Sequence, residues 1–131
     1  MHKFFLQAAA LLGALAVAFG AFGAHALKKM VSDVAVNVFE TGVRYQFYHV
    51  FALALIGILF RDFPNKWMLW AGNLFIIGML LFCGSLYVLT YFKAAVKPNF
   101  DWVGAITPFG GLAFIGGWVC MFIGLYKSTG A

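Results

Sequence analysis

The chain has 131 residues, of which only 13 are charged (nine Lys or Arg, four Asp or Glu), while 64% are hydrophobic and 19% aromatic. That balance excludes a water-soluble globule, which carries about a quarter charged residues. The net charge of +5 does not indicate nucleic-acid binding either, because the basic residues are scattered one to three per connection and form no stripe that could follow a phosphate backbone.

The charges leave four uncharged windows at residues 4–27, 45–60, 67–92 and 102–126, of 24, 16, 26 and 25 residues. A hydrocarbon core of roughly 30 Å needs about 20 apolar helical residues. Three windows therefore span unaided and the second needs a few flanking residues. The expectation is an all-α membrane protein: a single domain, residues 1–131, with four transmembrane helices in a compact bundle at about 4–27, 45–63, 67–92 and 102–126. An interfacial amphipathic helix at about 31–45 joins the first two spans.

The first window resembles a signal peptide in having Lys3 before it and Ala24-His25-Ala26 near its end. Its apolar stretch, Phe4 to Leu27, is much longer than the ~7 to 15 residues of a signal h-region, so it is expected to stay as the first span. Small residues recur in it at Ala9, Gly13, Ala16, Gly20 and Gly23, spaced four, three, four, three. Such a stripe lets a second helix approach closely, which matters in lipid, where there is little hydrophobic force between helices.

Residues 31–49 read as a sided helix with Ser32 or Asp33 as N-cap. Asp33, Asn37, Glu40 and Arg44 fall on one stripe, with Val31, Val38, Gly42, Tyr45 and His49 opposite. Glu40 and Arg44 are an i,i+4 acid-to-base pair. Past Arg44 the same helix becomes the second span, ending near Arg61, Asp62 and Pro64.

Trp67 and Trp70 open the third span and Tyr91 and Phe92 close it; Trp102 and Tyr126 bracket the fourth. These positions suit the aromatic belts of a bilayer. Ala71, Gly78 and Ser85 give the third span a sparser small-residue stripe, and the segment around Pro98 and Asn99 reads as an exposed turn. In the fourth span the small residues are Gly110, Ala113, Gly117, Cys120 and Gly124. Pro108 is expected to kink this helix and free the Gly104 carbonyl. The alternative is a helix restart at Thr107-Pro108, whose positive end could bind an anion. Cys83 and Cys120 have no CxxC spacing and read as small apolar residues.

Basic residues number four on the side of the termini and five on the other. Because Lys3, Arg61 and Lys66 directly abut spans, both termini are expected in the cytoplasm.

Polar groups within a membrane must find a partner or line a cavity. His25, Tyr45, Gln46, His49, Ser85, Tyr87 and Thr107 all fall toward one membrane face by topology and form the candidate cluster. The plainer reading is an interhelical hydrogen-bond network; a lipid or quinone pocket and a haem between His25 and His49 are the alternatives. Gly13, Gly20, Gly23, Gly110, Gly117 and Gly124 are the candidate packing positions. The windows hold no acid pair, no Ser-His-Asp set, no HExxH and no phosphate loop, so no enzyme, no metal and no cofactor are expected.

GAFGAHALK (Gly20 to Lys28), FETGVRYQFYH (Phe39 to His49), FCGSLY (Phe82 to Tyr87) and TPFGG followed by GW (Thr107 to Gly111, then Gly117 and Trp118) resemble the YgdD and YwdK-like family of small bacterial membrane proteins of unknown function. The resemblance covers nearly the whole chain. It implies four spans in a bacterial inner membrane, and makes His25, Thr41, Gly42, Tyr45, Gln46, His49, Gly84, Ser85, Tyr87, Thr107 and Pro108 signature positions without giving them roles. The resulting expectation is a non-enzymatic bundle acting through a partner protein or a bound lipid or quinone, the alternative being a small homo-oligomeric channel or transporter.

Overall fold

The computed structural model describes residues 1–94 and 101–127, and its described residues are helices and their connections. The turn expected around Pro98 and Asn99, and the side chains of Phe92 and Trp102, lie outside what is described. Among the described residues, four segments are long and apolar enough to cross a membrane: Lys3–Lys29, Asp33–Leu59, Lys66–Tyr91 and Val103–Lys127.

Helix α1 (Lys3–His25) starts where the His2 ring accepts the Phe5 amide at 3.2 Å, and passes into a 3₁₀ turn at Leu27–Lys29. Helix α2 (Asp33–Leu59) is capped by Ser32, whose hydroxyl accepts the Ala35 amide at 3.3 Å. It is one unbroken rod. Its first turns carry the charged stretch, and it ends at Leu59, before Arg61 and Asp62.

Asp33, Asn37 and Arg44 are exposed and Glu40 is half-buried. The buried side differs from the opposite-of-charge set: Val36, Phe39, Val43, Gln46, Val50 and Leu53 carry it, and Tyr45 is 39% exposed. Those six positions are spaced three, four, three, four, three, the seam spacing of two helices packed along their length. Helix α2 is contacted from both sides, so Gly42 and His49 are buried as well.

The third span is built of α3 (Lys66–Gly78), a π-helical segment (Met79–Cys83) and α4 (Gly84–Ala94). Asn65 caps α3: its Oδ1 accepts the Trp67 and Met68 amides at 3.0 and 3.2 Å, and its Nδ2 reaches across to the Gly124 carbonyl at 3.0 Å. The fourth span begins as a 3₁₀ segment (Asp101–Ala105), and helix α5 (Thr107–Lys127) starts afresh after it. The expected kink is therefore a restart. Pro108 sits in the first turn, where its missing N–H costs no helix bond. The Phe109 and Gly110 amides donate to the Ile106 carbonyl at 3.1 and 3.2 Å, so those donors are not left for an anion.

Helix α2 is innermost, with α1 along one side and the third span on the other, and α5 packs on α3. The most enclosed large side chains are Phe5, Leu53, Ile56, Met68 and Phe75, one cluster shared by α1, α2 and α3. The outer faces of α1 and α5 stay apolar, with Leu11, Val17, Ile115 and Phe122 exposed, as lipid contact requires. The start of α1, the 60–65 turn and the end of α5 meet at one end. There the His2 amide donates to the Gly57 carbonyl at 2.8 Å, and the Lys127 ammonium lies 5.3 Å from the Trp67 ring centre.

Candidate functional site

The candidate polar residues lie in three separate joints, with one residue left outside. In the first, Gln46 on α2 donates from Nε2 to the Leu12 carbonyl of α1 at 2.7 Å, and its Oε1 accepts the Tyr87 hydroxyl of α4. One buried amide thus links three helices. Gly42 makes this possible, since a Cβ there would stand 2.9 Å from Cε1 of the Tyr87 ring.

The second joint is His49, buried on α2 and stacked on Phe114 of α5 with centroids 3.6 Å apart and rings 10° from parallel. The Trp118 indole N–H, which can only donate, points to Nε2 at 3.1 Å. Nε2 must therefore be the acceptor, so Nδ1 carries the proton and donates to the Tyr45 carbonyl at 2.8 Å. Both ring nitrogens are engaged. Tyr45 contributes its backbone; its ring lies 4.8 Å from that of Phe82.

The third joint pairs Ser85 of α4 with Thr107 of α5. Ser85 also donates to the Phe82 carbonyl in the π segment at 2.9 Å. Thr107 spends its hydroxyl on this contact between helices.

His25 joins none of these. It is exposed in the last turn of α1. The antiparallel pairing of α1 and α2 sets Gly13 against Val50 and Gly23 against Phe39. That puts His49 level with about residue 14 and His25 roughly 17 Å further along, at 1.5 Å per residue. The two imidazoles do not converge on one iron.

Gly13, Gly20 and Gly23 face α2, with Val50, Val43 and Phe39 at 3.3, 3.5 and 3.0 Å from the positions a Cβ would take. Gly117 and Gly124 face Phe75 and Met68 of α3. At Gly110 a Cβ would fall on the backbone nitrogen and Cα of Phe82, so α5 and the π segment touch main chain to main chain. Sequence reasoning missed Asn65 and Trp118 as bonding partners. A cap position one residue before an apolar run was the available signal for Asn65; Trp118 offered none, because an indole at a span's centre reads as lipid-facing.

A model of a family described as a protein of unknown function, DUF423, matches residues 19–111, well over half of the chain. The chain belongs to the DUF423 family. The DUF423 match runs from the later part of α1 into the first turn of α5, so it contains the Gln46–Tyr87 and Ser85–Thr107 joints and His49 but stops short of Trp118. Relatives extend the likeness to nearly full length. A UPF0382 membrane protein of Staphylococcus haemolyticus is 39% identical over 128 residues, covering 98% of this chain and 99% of its own. The UPF0382 inner membrane protein YgdD of Escherichia coli K12 is 34% identical over 125 residues, covering 95% and 91%. No solved structure matches. This DUF423 chain is an integral membrane protein with four candidate spans.

Proposed function

We propose that the protein is a non-enzymatic component of the bacterial inner membrane, with both termini in the cytoplasm, and that it acts by holding a membrane lipid or a second membrane protein against its outer helix faces. One observation supports this above the others. Among the described residues, no buried side-chain nitrogen or oxygen lacks a hydrogen-bond partner. Apart from the exposed His25, the candidate polar residues are engaged in fastening the bundle, and a catalyst needs groups free to meet a substrate. What the chain offers to other molecules is its lipid-facing surface and the grooves in it.

Native mass spectrometry of the protein released gently from its own membranes tests this. The expected spectrum shows the chain carrying a lipid or an associated protein. A bare chain under conditions that preserve other lipid complexes would contradict the proposal. A bare dimer whose vesicles pass ions or solutes would replace it with the channel or transporter.

A further inference from the structure

A groove between α1 and α2 holds about 430 Å³. Its floor and walls are Gly20, Gly23, Phe39, Val43 and Phe47, and its rim carries Glu40 and Arg44. On the α1 side the lining is Gly20 and Gly23, which pack against Val43 and Phe39 of α2.

Its depth in the bilayer follows from length. Helix α2 ends at Leu59, and 20 residues back from there, the ~30 Å of a hydrocarbon core, is Glu40. Arg44 lies one turn deeper, about 6 Å inside that boundary, and is exposed. Among the described residues no ion pair engages either charge. A guanidinium at that depth requires an anion or must bend outward to water.

We infer that this groove binds a glycerophospholipid with a phosphate–ammonium headgroup of the ethanolamine type. The order of charges matches: in a bilayer leaflet the phosphate sits deeper and the ammonium further out, as do Arg44 and Glu40. Their Cβ atoms, at i and i+4, are roughly 6 Å apart, a separation that a phosphate and an ammonium joined by an ethylene unit can bridge. Arg44 offers a planar fork to the phosphate, Glu40 accepts N–H bonds from the ammonium, and the upper acyl carbons run down over Val43 and Phe47. A choline headgroup has no N–H for Glu40, and a glycerol headgroup brings it no cation.

The inference rests on the preceding proposal that the bundle holds a lipid, and the test separates the two. The full-length protein is reconstituted in vesicles of equal parts phosphatidylethanolamine, phosphatidylcholine and phosphatidylglycerol, and retained lipid is read by native mass spectrometry. Phosphatidylethanolamine is expected to dominate. Arg44→Gln should cut phospholipid retention about tenfold, the worth of one charge-assisted bond pair. Glu40→Gln should abolish the preference among headgroups. Arg44 is exposed and Glu40 half-buried, and an unchanged melting temperature of each variant confirms the fold. Equal retention of the three lipids, or retention indifferent to Arg44→Gln, would overturn the inference. Protein released from its own membranes with a quinone or a protein and no phospholipid would overturn this inference while leaving the broader proposal standing, and a bare chain would overturn both.

Discussion

Gly110→Ala is expected to destabilise the protein by about 3 kcal/mol, the upper end for a methyl forced into a packed interior. The atoms in its way are the Phe82 backbone nitrogen and Cα. A flexible side chain could swing aside, whereas a main chain held within a π segment must move as a unit and would separate α5 from the third span. Gly84→Ala is the control. A Cβ at Gly84 meets nothing within 4 Å, so the change should be neutral or stabilise by up to about 1 kcal/mol through helix propensity. Reversible unfolding in mixed detergent micelles measures both. Equal midpoints for the two variants would mean that the helices do not touch at Gly110.

His49→Ala should cost about 3 kcal/mol, in the range for removing a large buried side chain. It loses the stack on Phe114 and leaves a void between α2 and α5. It also strips the Trp118 indole of its acceptor; bonds of this kind average about 0.6 kcal/mol in membranes, so the packing loss is the larger share. His25→Ala, on an exposed residue, should change the midpoint by less than about 0.5 kcal/mol. Comparable losses from both histidines would contradict the placement of His25 outside the joints.

Which parts of this arrangement can be read from the chain depends on the range of the physics behind them. The four spans are legible because bilayer thickness acts on every residue of a window, and charges at Lys3, Arg61, Lys66 and Lys127 mark the ends. The Ser32 cap is legible because capping is local. The buried face of α2 is not. The charged stripe shows which side faces away, but the choice of Phe39 and Val43 over Tyr45 depends on where α1 and α4 arrive. Thr107 and Pro108 show the same limit. Their local pattern allows a kink or a restart, and the Ser85 hydroxyl, 22 residues earlier, takes up Thr107 in the restarted form. The π segment at Met79–Cys83 has no local mark either, and Gly110, against which it sets its main chain, belongs to a helix far along the chain. For the candidate residues, topology could place them near one face but could not divide them into joints. That division depends on which side chain points at which helix, and it changes their meaning from an open cluster to three fasteners.

The buried polar groups are consumed in holding the bundle together, and His49 shows this most sharply. Nitrogen-15 solid-state NMR of histidine-labelled protein in lipid bilayers reads the ring directly. The arrangement predicts a neutral His49 with the proton on Nδ1 and an unprotonated Nε2 accepting the Trp118 indole N–H, a signature that Trp118→Phe should perturb. A proton on Nε2, or a ring indifferent to Trp118→Phe, would show that His49 is not a joint and would return it to the list of groups free to act.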